Sequence, residues 1–158
     1  MDSATLEPDS EVSYSRNMQV FTTGEIASML SVSRDEVDYW VRCGLLVPSI
    51  REAAGHGTRR LFAIGDLKKA LLIQRLKAAH WKPKQICSAL GVVALAVDNP
   101  DTLHAPLLIH EGNALLVLCR SKGRELMLLD AASPGQYVMV IALDSLEEQT
   151  RHSLMLSK

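Results

Sequence analysis

The residues of this chain whose types and spacing indicate a chemistry are cations, concentrated between residues 21 and 90. This segment carries eleven Lys and Arg against six Asp and Glu, whereas residues 1–20 and 91–158 each have a net charge of −3. A basic island between acidic flanks is typical of a module that binds a polyanion such as nucleic acid. Six basic residues of this segment lie near a predicted helix or in a glycine-flanked loop: Arg34, Arg42, Arg51, His56, Arg59 and Arg60.

Patterns for catalysis or metal binding are not found in the sequence. It contains no nucleophile–base–orienter set, no glycine-rich dinucleotide fingerprint and no P-loop. Cys43, Cys87 and Cys119 form no C-x-x-C pair, and His104 and His110 lack further ligands at metal-site spacing. We therefore predict a non-enzymatic, reduced cytoplasmic protein with no metal and no cofactor. Neither a signal peptide nor a membrane-spanning apolar run is indicated.

Two short helices are predicted to position the first of these cations. Thr22 and Glu25 have the spacing of a capping box that opens one helix. Ser33 and Glu36 repeat this signal after a turn near Ser31 and Val32. Two short capped helices joined by a tight turn predict a helix-turn-helix.

The segment after the second helix predicts a β-hairpin wing followed by two more helices. Residues 45–48 and 59–62 are the extended arms of the hairpin, and its tip is Gly55-His56-Gly57. An amphipathic pattern predicts a third helix over residues 66–80, and a proline-initiated helix follows over 82–90.

The overall prediction is an α+β chain: a winged helix-turn-helix domain with four helices and a wing hairpin, followed by a small antiparallel β-rich domain. Four apolar runs separated by turn residues predict a four-stranded meander, and Asp144 opens a closing helix. The boundaries are a disordered tail (1–19), the helix-turn-helix domain (20–91), a linker (92–106) and the β-rich domain (107–158).

The β-rich segment is predicted to dimerise or to sense a small apolar ligand. Strands that are apolar at nearly every position need cover on both faces, which a second subunit could supply. The predicted dimer contacts are Leu108, Leu116, Leu118, Leu128, Val138 and Val140.

The stretch from Phe21 to Leu90 resembles the MerR family of transcription regulators. The matching motifs, in order, are Thr23-Gly24-Glu25-Ile26-Ala27, then Asp38-Tyr39-Trp40-Val41-Arg42-Cys43-Gly44-Leu45-Leu46-Val47-Pro48, then Arg59-Arg60-Leu61-Phe62 and Asp66-Leu67. The resemblance implies a homodimer on a pseudo-palindrome in double-stranded DNA, with the second helix of each copy in a major groove and the wings on phosphates. It also implies RNA polymerase at the promoter as a partner.

The DNA-contacting residues implied by the resemblance are Thr23, Ser33, Arg34, Tyr39, Arg42, Arg51, His56, Arg59 and Arg60. Asp35, Glu36 and Asp38 depart from the family pattern, because they put three acids in the helix that reads DNA. No heptad pattern for a dimerisation coiled coil follows Gly91. These departures leave open a second hypothesis, a helix-turn-helix adaptor that binds a basic protein partner.

Overall fold

The computed structural model describes residues 19–98, 107–112, 114–120 and 137–156. Its elements are β1 (Val20–Thr22), α1 (Thr23–Leu30), α2 (Arg34–Arg42), β2 (Leu61–Ala63), α3 (Ile64–Ala78), α4 (Pro83–Asp98), β3 (Leu107–Glu111), β4 (Ala114–Cys119), β5 (Tyr137–Ala142) and α5 (Leu143–Leu156). Residues 1–18 of the tail predicted over 1–19 lie outside the described residues, as does the strand predicted over 125–130, with Leu128.

The helix-turn-helix starts as the sequence predicts. The Glu25 amide donates to Thr22 Oγ1 over 3.3 Å, and the Thr22 amide donates to Glu25 Oε2 over 2.7 Å, which completes the capping box of α1. Ser31 ends α1 because it adopts the left-handed conformation, with φ of 56°. Ser33 then caps α2, since its Oγ accepts the Glu36 amide over 3.1 Å.

The prediction that residues 45–48 form the first arm of a wing hairpin is wrong. Residues 45–48 form no strand, because the amides of Leu45 and Leu46 both donate to the Trp40 carbonyl and so close the end of α2. Both leucines are buried, which holds this segment against the core. The second arm contributes β2, which pairs antiparallel with β1. A bridge between Arg51 and Leu61 closes the intervening loop, residues 49–60, which we call the basic loop.

α4 continues past its predicted end at Leu90 into the stretch predicted as a linker. Gly91 lies within the helix, where glycine costs about 1 kcal/mol relative to alanine. Burial of Val93 in the core offsets part of this cost. The helix boundary at 90 is therefore corrected to Asp98, and residues 99–106 lie outside the described part of the chain.

The C-terminal sheet has the order β3-β4-β5 and is mixed, not antiparallel as predicted. β3 and β4 pair antiparallel, whereas β4 and β5 pair parallel with Leu116 opposite Met139. Parallel pairing requires a long connection between the two strands, and seventeen residues separate β4 from β5 in the sequence. Uninterrupted apolar runs indicate burial on both faces but do not determine strand direction, so the predicted antiparallel arrangement was wrong for β5.

One hydrophobic core unites the helix-turn-helix with the C-terminal segment. All six residues of β4 are buried within a single chain, so this strand is covered without a second subunit. α5 contacts both α1 and α3. Lys68 of α3 pairs with Glu147 of α5 over 3.3 Å, and Arg75 Nε donates to Gln149 Oε1 over 3.2 Å.

Candidate nucleic-acid interface

The helix α2 divides into a buried face and a charged face. Val37 and Trp40 are fully buried and anchor the helix to the core. Arg34, Asp38 and Arg42 follow one another at intervals of four residues and so share one side of the helix. Both arginines are exposed, which leaves this side available to a ligand.

Two of the three acids of α2 are paired with cations inside the molecule. Glu36 Oε1 accepts from Lys77 Nζ of α3 over 2.7 Å. Asp38 Oδ1 pairs with Arg60 Nη1, and Arg60 Nε also pairs with Glu52 Oε1 over 3.3 Å. Asp35 is exposed in the first turn of α2, where a negative charge is favoured by the helix dipole. The acids of α2 therefore repel a polyanion less than their number in the sequence indicates.

A cleft of about 300 Å³ lies between the start of α1 and the basic loop. Its lining contains three arginines and no carboxylate: Thr22, Thr23, Gly24, Arg34, Ala53, Thr58, Arg59 and Arg60. The Arg34 guanidinium lies directly over Gly24, since a Cβ at that position would be 2.9 Å from Arg34 Cζ. Arginines beside the amides of a helix N-terminus form a site that suits a phosphate group.

Asp66 ties the beginning of the basic loop to the start of α3. Its Oδ2 accepts the Ser49 amide over 2.9 Å, the Ser49 hydroxyl over 2.6 Å and the Ala63 amide over 2.9 Å. Asp66 is 1% exposed, so these donors replace the water that a buried carboxylate loses. Asp66 was predicted only as part of the Asp66-Leu67 motif. Its place three residues after Ala63, in the first turn of a helix, was the signal for a cap.

The rest of the basic loop is stabilised by hydrogen bonds between its own residues. Thr58 Oγ1 accepts the Ala54 amide over 2.8 Å and donates to the Gly55 carbonyl over 2.9 Å. Gly55 and Gly57 have φ of 96° and 88°, a conformation that favours glycine. Arg51 Nε donates to the Arg59 carbonyl over 3.3 Å. These contacts present the Arg59 side chain to solvent from a defined backbone.

Tyr39 lies beside Lys77, which also pairs with Glu36. The Lys77 ammonium is 6.0 Å from the centre of the Tyr39 ring and 5.6 Å from that of Trp40. The hydrogen bond with the Cys43 side chain raises the pKa of Tyr39, and the charge of Cys43 acts in the same direction. The phenol therefore stays neutral at physiological pH.

The structure brings four of the predicted DNA contacts into one cleft: Thr23, Arg34, Arg59 and Arg60. Ser33 is used as the cap of α2. The remaining predicted contacts are exposed outside the cleft lining: Tyr39, Arg42, Arg51 and His56.

The predicted dimer contacts differ in burial within the chain. Leu116 and Leu118 are core residues, whereas Val138 and Val140 are half-buried on β5. Leu108 lies in β3.

Comparison with known proteins identifies the type of domain to which the helix-turn-helix segment is similar. A family profile described as "MerR HTH family regulatory protein" matches residues 21–89. This segment is a MerR-type helix-turn-helix domain. The match includes α1, α2, the basic loop, β2 and α3 and ends within α4.

Curated relatives match a shorter part of the chain. An uncharacterized HTH-type transcriptional regulator of Mycobacterium bovis and two of Mycobacterium tuberculosis are each 46% identical over 41 residues. The alignment covers 26% of this chain and 18% of each relative. The chain therefore spans under a fifth of the length of these relatives, and the likeness is confined to part of the chain.

The helices described between residues 19 and 156 include none that is both long enough and apolar enough to cross a membrane.

Proposed function

We propose that this chain is a sequence-specific, double-stranded DNA-binding transcription regulator that acts as a homodimer on a pseudo-palindromic operator. The observation that carries the proposal is the cleft in which Arg34 and Arg59 meet the start of α1, while the third arginine of its lining, Arg60, is paired with Asp38 and Glu52. The MerR-type match over residues 21–89 and the names of the mycobacterial relatives support the same function.

In this proposal α2 enters the major groove, while the cleft and the basic loop hold the adjacent phosphates. Arg34 and Arg42 lie on the charged face of α2 at either side of Asp38, and both are exposed. Arg59 projects from the braced loop. Contacts to phosphate from these separate elements position the domain on the duplex.

A second subunit is proposed because one helix-turn-helix covers only half of a palindromic site. β5 is the candidate contact surface, since in the described part of the sheet it pairs only with β4 and leaves an edge. Val138 and Val140 of β5 are half-buried, unlike the core residues Leu116 and Leu118. Pairing of two such edges about a two-fold axis would give a closed dimer. Contact with RNA polymerase and sensing of an apolar ligand by the sheet stay predictions.

The test is selection of genomic DNA fragments by the full chain at about 150 mM salt, where non-specific contacts are weakened. We expect enrichment of an inverted repeat, and a lower affinity of Arg59→Ala for the same repeat, because a phosphate contact contributes affinity for all sequences. Lys84→Ala is the matched control, because it removes one exposed charge from α4, outside the lining of the cleft. The side chain of the neighbouring Gln85 approaches Gly112 of the β3–β4 turn. Absence of any enriched sequence with the folded wild-type chain would contradict the proposal and favour the protein-interaction adaptor.

A further inference from the structure

We propose that Asp38 reads a base edge in the major groove and that Arg60 is a positioning residue for Asp38. The preferred base pair is one that presents the amino group of cytosine. This inference rests on the proposed function, because it assigns a specificity to the same surface of α2.

The position of Asp38 distinguishes it from the other acids of α2. It lies on the charged face of the helix, one turn after Arg34 and one turn before Arg42. Its side chain is 39% exposed, so it can meet a ligand while one oxygen is held. If the two arginines approach phosphates or bases, the carboxylate between them approaches the same groove.

The chemistry of a carboxylate restricts what it can contact there. An ionised carboxylate only accepts hydrogen bonds, so phosphate oxygens repel it. In the major groove the donors are the amino groups of cytosine and adenine, and Asp or Glu pairs with cytosine N4. A carboxylate also has about four acceptor positions, so its pair with Arg60 leaves capacity for a base.

Arg60 is placed to hold Asp38 rather than to bind a phosphate. Its guanidinium pairs with Asp38 of α2 and with Glu52 of the basic loop, and its side chain is 24% exposed. Arg59, its neighbour, is exposed and makes no such pair with the described carboxylates. Two adjacent arginines therefore have different roles: Arg59 faces the solvent, and Arg60 connects the loop to the helix and fixes the rotamer of Asp38.

The test is selection from randomised duplexes with the full-length chain and its variants at one salt concentration. The wild type should prefer a C·G pair at one position of each half-site, by roughly 5- to 150-fold over other pairs. Asp38→Ala should lose this preference and keep the others. Asp38→Asn should change the preferred base from cytosine to adenine, which Asn reads through two hydrogen bonds.

Arg60→Gln and Arg59→Ala form a matched pair that separates positioning from phosphate contact. Arg60→Gln should weaken the preference at the same base and leave the dependence of binding on salt unchanged. Arg59→Ala should retain the base preference and reduce the salt slope by about 1. Thermal melting checks that each variant is folded, and little change is expected because an ion pair that is partly open to solvent contributes weakly to stability.

Four results would overturn the inference. A uniform rise in affinity for all sequences in Asp38→Ala would show that Asp38 only repels DNA. A smaller salt slope in Arg60→Gln would make Arg60 a phosphate contact. A wild-type chain that enriches no sequence would overturn the proposed function as well, whereas an unchanged profile in Asp38→Ala beside an enriched wild type would overturn this inference alone.

Discussion

Gly24→Ala separates the stability of the domain from its affinity for DNA. Alanine in a helix is ordinarily favoured over glycine by about 1 kcal/mol, so this change should not destabilise α1. The new Cβ would stand 2.9 Å from both Arg34 Cζ and Arg34 Nε, which is closer than side chains tolerate. Because these atoms belong to the far end of a flexible side chain, the guanidinium moves out of the cleft and the helix remains.

The size of the effect follows from the contact that is lost. One phosphate contact accounts for a slope of about 0.9 in log affinity against log salt. We therefore expect the slope to fall by about 1 and the affinity near physiological salt to fall about tenfold, which corresponds to roughly 1.4 kcal/mol. The assay is a salt titration of binding to an enriched duplex, with thermal melting of the same preparations.

Arg34→Ala is the matched variant. If Gly24→Ala acts only by displacing Arg34, the double variant should bind as weakly as Arg34→Ala alone, because the two changes remove the same interaction. Unchanged affinity and slope in Gly24→Ala, with Arg34→Ala impaired, would refute the cleft position of Arg34. A lower melting temperature would refute the expectation that only the side chain moves.

Three further changes test other parts of the structure. Asp66→Ala should lower the free energy of unfolding by about 3 kcal/mol in urea, because it leaves two amides and a hydroxyl without their acceptor; a loss under 0.5 kcal/mol would contradict the cap. Leu116→Ala should cost about 3 kcal/mol, since the residue is fully buried within one chain; if Leu116 instead contacts a second subunit, the loss will depend on protein concentration. The phenol of Tyr39 should titrate above its ordinary pKa of 10.0 and return toward it in Cys43→Ala. The contribution of the Tyr39–Cys43 contact to stability is present below pH 10 and is lost as the pH rises through the folded-state pKa of Tyr39. An unchanged ultraviolet titration of Tyr39 in Cys43→Ala would exclude this contact.

Local signals in the sequence predicted the helix starts. The caps by Thr22 and Ser33 are formed as expected, because a cap depends only on groups within three residues of one another. Gly91 was a misleading signal for the end of α4, since packing of Val93 overrides the local cost of glycine. Element starts were therefore predictable where the deciding contacts are local, and the end of α4 was not because tertiary packing decides it.

The long-range pairs were not predictable. Asp66 meets Ser49 across 17 positions of the chain, and Arg60 meets Asp38 across 22. The sequence showed three acids in α2, but no spacing rule indicates which cation of a folded loop reaches them. The parallel pairing of β4 and β5 was missed for the same reason, because strand direction depends on the path of the connection and the apolar pattern records only burial.

The most direct test of the central claim compares the salt dependence of DNA binding by the full wild-type chain, an Arg34→Ala and Arg59→Ala double variant, and the Lys84→Ala control on one enriched duplex. If the cleft binds phosphates, the double variant should reduce the slope of log affinity against log salt by about 2, while Lys84→Ala leaves it unchanged. An equal slope for all three proteins would show that phosphates are bound elsewhere and would contradict the assignment of this cleft as the DNA-binding site.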